Sequence, residues 1–579
     1  MAWQYDSAGP GAVALMGELP REATLALGIG TSKEAAATLA ISELMADFTA
    51  ACDADITAWR AWRAKSHRLT VDDDMHRALA SSAAVLKVHQ DLTYRGATVA
   101  SLSVPWGDSS DMLGGYHLVW PRDLVETAGA LVAMENFEEA RDVLRYLIAT
   151  QQDDGHWLQN QWLGGKPFWS GQQLDETGFP ILLASALRAR GELGGVPAQG
   201  AIERALGYIA LNGPSTAQDR WEEDAGINVF TLAVAISALV EGAAFLEGEA
   251  KDFVLRLADC WNANLEDWSF VSDTPLARAA AVSGYYVRTM PADVLTRDRA
   301  PLETVAIKNL AKDPNLPANA QIATDFLQLV RYGLRRPDDP SIVDTLKVVD
   351  RLLKVDTPSG AVWRRYNDDG YGEHEDGSPF DGTGRGRGWP LLTGERGHYA
   401  VAAGDDPAPY IEAMMAMSSP LGLIPEQVWD SAPIAEFDLK PGRPSGSAMP
   451  LVWAHAEFIK LCHSQKLGAP VDRPAETWKR YGGVRPTIDA VIWGPKYRPR
   501  RIRAGQRLTI ALAGAAKVHW GVNGWSNVRD EDTADIGLGV HTLDLAIAAL
   551  KPGDRIEFTF FWRDAKIWDS DKYEMLVVE

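Results

Sequence analysis

From about residue 74 to residue 465 apolar residues recur at spacings of three and four, and this period constrains the fold more than any other feature. Twelve stretches carry it. The first six are ALASSAAVLKVHQDL, DLVETAGALVAM, ARDVLRYLIATQQ, FPILLASALRARGEL, IERALGYIAL and NVFTLAVAISALVEGAAFL. The last six are AKDFVLRLADCWNAN, ATDFLQLVRYGL, SIVDTLKVVDRLLK, GWPLLTGERGHYAVAA, PYIEAMMAM and AMPLVWAHAEFIKLCH. Short polar turns alternate between them with longer Gly- and Trp-rich loops. Twelve helices joined in that alternation predict six helical hairpins closed in a ring, an (α/α)6 barrel over residues 73–470. An open superhelix would need a repeat of roughly 34–47 residues, and none is visible.

The flanks read differently. Residues 1–30 look extended, with a strand expected at Ala23–Leu27, and one long amphipathic helix is expected from near Ser32 to about residue 65. Gly28-Ile29-Gly30 lacks the third glycine and the second strand of a dinucleotide site, so a turn into the helix is the better reading. Beyond residue 470, Pro470, Pro474, Pro486, Pro495 and Pro499 punctuate short alternating runs: IDAVIWG, RLTIALA, HTLDLAI and RIEFTFFW. These predict a β-sandwich over residues 471–579. The fold class is therefore mainly α, a helical barrel with a C-terminal sandwich and a short N-terminal strand-and-helix segment over residues 1–72.

Acidic residues outnumber basic ones, 78 against 57, for a net charge of −21. That field repels phosphate backbones and anionic lipid, which sets nucleic acid and membranes aside as partners and suits a neutral ligand. The uncharged run from Ala225 to Val240 is shorter than the roughly 20 residues of a membrane span and reads as a buried helix. The opening residues lack the basic start and sustained apolar stretch of a secretory signal. Cys52, Cys260 and Cys462 are odd in number and far apart, so no disulfide framework is legible. Cys462 and His463 are helix neighbours pointing about 100° apart, which does not make a metal site. Tryptophan is abundant, at 21. Indole faces fill cores, and they also stack on pyranose rings.

Four segments concentrate chemistry around the helices: Tyr116 to Asp123 (YHLVWPRD), Asp219 to Asp224 (DRWEED), Trp363 to Tyr366 (WRRY), and Pro425-Glu426-Gln427. Glycoside hydrolysis needs two carboxyl groups, one protonated to donate to the leaving oxygen and one ionised. The cluster Glu222-Glu223-Asp224 beside Trp221 raises at least one carboxyl pKa through like charge and an apolar neighbour. Taken alone, such a triplet also suits a solvated helix N-terminus.

In this order and on twelve helices, the four segments resemble glycoside hydrolase family 15, the glucoamylases and glucodextranases. The resemblance covers roughly residues 75–465, and GGYHLVWPRD at 114–123 is especially similar to the bacterial members. It implies Glu222 as general acid and Glu426 as general base. It implies Arg122 and Asp123 as the grip on a terminal glucose and Arg365 as a second arginine of that pocket. Tyr116 falls beside the nucleophilic water, Trp120 and Trp221 on the pocket walls, and Glu223 near the next sugar. Trp169 and Trp389 are looser matches to further stacking residues. The implied reaction is single displacement with inversion, for which the carboxyls stand roughly 6.5–9.5 Å apart. No cofactor is required, and a structural calcium is not legible. A monomer acting on α-glucan chains is expected. The family suggests a secreted or periplasmic protein, while no signal peptide is legible, so localisation stays open. Bacterial members carry a large β-sandwich before the barrel. Residues 1–30 resemble its tail end and 31–70 its linker helix, which makes 1–72 a remnant of that domain.

The resemblance favours release of β-D-glucose from non-reducing ends, and the starch-like tryptophan motif of the C-terminal segment tips the expected linkage toward α-1,4. A glucodextranase cutting α-1,6 linkages, a trehalose-hydrolysing enzyme and a glucosyl-transferring relative share the two-carboxyl machinery. A sugar-binding barrel without catalysis has no need of both carboxylates. The C-terminal segment from His519 to Trp525 (HWGVNGW), with Trp562 and Trp568, also resembles starch-binding modules. A tryptophan-rich sandwich core accounts for it equally well.

Overall fold

The computed structural model describes residues 18–66, 69–107, 115–295 and 300–579. The first residues of the expected extended opening, 1–17, and Gly114 of the GGYHLVWPRD segment lie outside that range.

In the first unit Ser32 accepts a hydrogen bond from the Ala35 amide (3.1 Å) and starts α1, Lys33–Met45. Asp47 does the same for Ala50 (2.8 Å) and starts α2, Phe48–Lys65. One continuous helix was expected here. Instead the axis bends by 98°, because an N-cap residue takes extended backbone angles and Asp47 serves as one. The strand expected at Ala23–Leu27 does not form; the described residues of this unit offer no second strand to pair with. Gly28 has a packing reason instead. A Cβ there would lie 2.0 Å from the Ala36 carbonyl oxygen, so the extended segment runs directly against α1.

In the second unit all twelve expected helices form. They are α3 (Asp73–Val88), α4 (Pro121–Ala133), α5 (Phe137–Thr150), α6 (Leu174–Ala189), α7 (Gln199–Asn212), α8 (Val229–Gly242) and α9 (Gly248–Ser269). A short α10 (Pro275–Ala280) precedes α11 (Leu327–Arg331), α12 (Pro340–Leu352), α13 (Pro390–Ala403), α14 (Ala408–Met417) and α15 (Val452–Leu467); α16 (Ala475–Tyr481) leads out. Helices α4, α6, α8, α11, α13 and α15 pack on one another in that cyclic order, and α15 returns to α4, closing the ring. Helices α3, α5, α7, α9 and α14 lie against this inner set. Every residue of α8 is buried, which explains the uncharged run of Ala225 to Val240 as core. Among the described residues no single helix is long and apolar enough to cross a membrane. Two small hairpins interrupt the helices: β1 (Phe270–Ser272) with β2 (Gly284–Tyr286), and β3 (Lys354–Thr357) with β4 (Gly360–Trp363).

The C-terminal strands are β5 (Ala490–Trp493), β6 (Arg501–Arg503), β7 (Arg507–Leu512), β8 (Ala516–Val522), β9 (Ser526–Asp532), β10 (Ala534–Asp535), β11 (His541–Leu545), β12 (Arg555–Trp562), β13 (Ile567–Trp568) and β14 (Tyr573–Val578). One sheet runs β10-β11-β7-β5 and the other β6-β14-β12-β8-β9, with β13 on β12. Alternate residues from both sheets, among them Trp493, Ile510, Trp520, Phe558 and Met575, share one core, as a sandwich requires.

Candidate active site

The first turns of α4 and α15, and the loops that lead into the other inner helices, surround a cavity of about 710 Å³ that all eleven candidate residues line. Trp120 immediately precedes α4, Arg122 and Asp123 sit in its first turn, the 219–224 segment precedes α8, and Trp389 is the N-cap of α13. Strand β4 delivers Arg365 just past its end. Helix N-termini carry partial positive charge, which favours carboxylates at this mouth.

Glu222 stands on a tight turn. Its amide bonds the Asp219 carbonyl (2.9 Å), and the Asp219 carboxylate accepts from the amides of Trp221 (3.0 Å) and Glu223 (3.1 Å). The turn holds Glu222 at φ 67°, a left-handed conformation that costs a non-glycine residue about 1–2 kcal/mol. The acidic triplet is thus not a solvated helix start: Glu223 is buried, and Glu222 is pinned by the Trp120 indole on Oε1 (2.5 Å) and by Gln159 on Oε2. Glu426 lies at a bend tied by its amide to Ala448 (2.8 Å), with the Gln427 amide on Ser447 (2.9 Å). Tyr116 bonds Glu426 Oε1 and also Tyr371, while the buried Oε2 has no partner among the described residues.

Around these two carboxyls the protein buries charge in matched sets. Arg122 donates to Gln173 (2.6 Å) and Asp175 (2.8 Å) and lies 3.8 Å from Glu176. Arg288 binds Asp219 (3.0 Å), Glu223 (2.7 Å) and Asp224 (2.8 Å). Arg365 grips Asp369 through two nitrogens (2.7 and 2.6 Å) and reaches Glu223 (3.2 Å), to which Tyr366 also donates (2.5 Å). Its guanidinium lies over the rings of Trp221 and Trp389, which meet edge to face at 5.3 Å. Trp169 stands at the rim, more exposed than the other candidates' indoles. Arg122 and Glu223, expected to reach sugars, therefore spend much of their hydrogen-bonding capacity inside the protein.

Burial is the main influence on Glu222, Glu426, Asp123 and Glu223, and it pushes each of them up. It takes Glu426 to about 8, against the Tyr116 bond and the charge of Arg365. It raises Glu222 against Arg122 and the Gln159 and Trp120 bonds. Asp123 is pushed to about 7 despite Arg122, and Glu223 to about 7 despite Arg288 and Arg365.

Sequence reasoning missed Gln159, Tyr371, Arg288 and the Asp175/Glu176 pair, and gave no role to Asp219 within a segment it singled out. None sits in a segment dense in charge and tryptophan except Asp219, whose turn-forming position before Trp221 was a usable signal. The others reach the site from separate loops and become visible only when the ring closes.

Glycosyl hydrolases family 15 matches residues 74–463, and the N domain of glucodextranase matches residues 1–64. A glucoamylase of Clostridium sp. (strain G0005) is 36% identical over 464 residues, covering 79% of this chain and 62% of that protein. The crystal structure of a bacterial glucoamylase complexed with acarbose superposes with TM-score 0.69 at 35% identity, covering 78% of this chain and 64% of that one. A family 15 glucoamylase from Hypocrea jecorina shares the fold at TM-score 0.50 and 15% identity, over 88% and 97% of the two chains. This chain thus spans under two thirds of the two bacterial relatives' length. With the family matched across the whole helical ring, the chain belongs to glycosyl hydrolase family 15.

Proposed function

We propose that this protein is an inverting, exo-acting α-glucosidase that releases β-D-glucose from the non-reducing ends of α-glucans. The observation that carries the reading is the pair Glu222 and Glu426, a half-buried and a buried carboxyl on one cavity, each held by its own hydrogen-bond donors. Glu222 is the proton donor to the glycosidic oxygen. Turned about its last torsion, the Gln159 carboxamide offers its oxygen to a protonated Glu222 and its N–H to the ionised form. Glu426 is the base, because its Oε2 is the carboxylate oxygen still able to take a proton from water. Burial opposes that role by favouring protonated Glu426, so activity rises with pH as Glu426 ionises. Both proton transfers fall to side chains, and no cofactor is invoked.

The walls suit a sugar. The buried indole N–H groups of Trp221 and Trp389 and the Nε of Arg122 have no partners among the described residues, and all three side chains line the cavity. Sugar hydroxyls would satisfy them. The bacterial relative that carries acarbose supports an α-glucan as that sugar.

Proton NMR of maltotriose hydrolysis in the first minutes tests the reading. The β-anomer of glucose should appear before mutarotation; an initial α-glucose signal, or maltose as the sole early product of longer chains, would overturn it. A second reading, cleavage of α-1,6 linkages, is favoured by the glucodextranase N-domain match. Parallel assays on maltooligosaccharides and isomaltooligosaccharides separate the two.

A further inference from the structure

The bend that carries Glu426 is bracketed by a second segment, residues 445–448. The Glu426 amide bonds the Ala448 carbonyl (2.8 Å), the Gln427 amide bonds Ser447 Oγ (2.9 Å), and the Ser445 amide bonds the Gln427 carbonyl (3.2 Å). Gly446 stands in the middle of this bracket. Its amide donates to Glu373 Oε1 (2.5 Å), and its carbonyl accepts from the Trp106 amide (2.6 Å). Three loops thus meet at one glycine, and a side chain has no room there. A Cβ on Gly446 would lie 2.8 Å from Trp106 Cδ1 and 3.1 Å from Glu373 Oε1. The loop that brings Glu373 packs as tightly against the base segment, since a Cβ on Gly372 would lie 2.6 Å from Gln427 Oε1.

Glu373 is 2% exposed, and its second oxygen, Oε2, has no partner among the described residues. A carboxylate buried with one oxygen idle is a poor choice for stability alone, because the desolvation of that oxygen goes uncompensated. Arg387 spends its donors elsewhere: on the Glu373 and His374 carbonyls (2.7 and 2.8 Å), on Asp430 (3.1 Å) and on Ser431 (2.8 Å). Glu373 does not line the cavity, so it bears on the reaction only through its neighbours. Burial is the first reason that Glu426 holds its proton. Tyr116, Arg365 and the Ala448 backbone oppose it, and the charge of Glu373 reinforces it. Tyr371 also faces Glu426, and Glu222 shares its cavity.

We propose that Glu373 is a positioning residue for the general base: its carboxylate fixes the Gly446 bracket around Glu426 and sets a second negative charge near it. The bracket holds the backbone from which Glu426 reaches the cavity. The charge makes ionised Glu426 a stronger acceptor for the proton of water than burial alone would. The inference rests on the reading of Glu426 as the base.

The pH dependence of kcat/KM on maltotriose tests it. Glu373→Gln keeps an oxygen for the Gly446 amide and loses the charge, so its acid limb should move to lower pH by about one unit. One unit below the native midpoint, the variant should then keep about half of its plateau rate where the native enzyme keeps about a tenth. Glu373→Asp retains the charge and should leave the limb in place. Glu373→Ala loses both charge and bond; it should move the limb the same way and lower kcat as well. A merely structural Glu373 would lower kcat and the unfolding temperature without moving the limb. A limb that stays put or rises in Glu373→Gln, or in Glu373→Ala should the glutamine variant not fold, would overturn the proposal. Glu426→Gln keeps the two readings apart. Near-native turnover in that variant would sink the base itself, whereas an inactive Glu426→Gln beside an unmoved limb sinks the role of Glu373 alone.

Discussion

Around the cavity, Arg122, Arg220, Arg288 and Arg365 are buried among carboxylates, whereas the sandwich core consists of Val, Leu, Ile, Met, Phe, Trp and Ala side chains. Both interiors exclude water, but they do so for different ends. Apolar burial is non-directional and stabilises in proportion to area. Buried ion pairs cost desolvation that their attraction repays only in good geometry, so they are weak evidence for stability. What they provide is position: Arg288 holds three carboxylates of the turn that carries Glu222, and Arg365 is clamped between Asp369 and Glu223. The barrel spends interior volume on fixing functional groups; the sandwich spends it on holding its sheets together.

The sharpest break in that contrast is Glu222→Gln or Glu426→Gln. Each should lower turnover of maltotriose by about 10²–10⁴-fold with little change in thermal unfolding, read by initial rates and calorimetry. The two variants should part on an aryl α-glucoside whose phenol leaves without protonation. Glu222→Gln should keep much of its activity there and Glu426→Gln should not; the opposite result would exchange their roles.

Arg288→Ala comes next, because it leaves Asp219, Glu223 and Asp224 buried without their cation. A loss of about 3–5 kcal/mol in barrel stability is expected, accompanied by a large fall in kcat. Denaturant unfolding and kinetics on one preparation check both. Phe558→Ala removes a core ring from the sandwich and should cost a comparable 3–5 kcal/mol, roughly, seen as an earlier unfolding transition. Its maltotriose turnover should be unchanged, and a parallel fall in kcat would blur the contrast between the two interiors.

The smallest effect is expected from Tyr116→Phe. The Tyr116 hydrogen bond favours ionised Glu426 against burial, so its loss raises that pKa further. The acid limb of the pH–rate profile should move to higher pH by about one unit, since one unit corresponds to about 1.4 kcal/mol and a hydrogen bond to a charged group is worth that order. An unmoved acid limb would detach Tyr116 from the base.

Period and punctuation were enough to place every helix of the ring and the principal strands of the sandwich, because a side-chain period of 3.6 or 2 is written locally. Where local signals compete, they misled. Ala23–Leu27 has strand composition but no partner strand, and Asp47 sits inside an apolar pattern yet caps a new helix. Nine of the eleven candidate residues were legible because they fall in four short segments; Trp169 and Trp389 lie outside those segments, and the cavity gathers all eleven. Only the closed ring revealed that Gln159 bonds Glu222 across 63 positions, and that Arg288 reaches Asp219 across 69. The outward turn of His519 beside Trp525 and Trp568 was equally hidden, since which face of a strand meets water depends on what the other face packs against. Composition and period are properties of neighbours in the chain. A carboxyl's partners, its burial and hence its proton affinity are properties of neighbours in space, and for this protein only the tertiary structure supplies them.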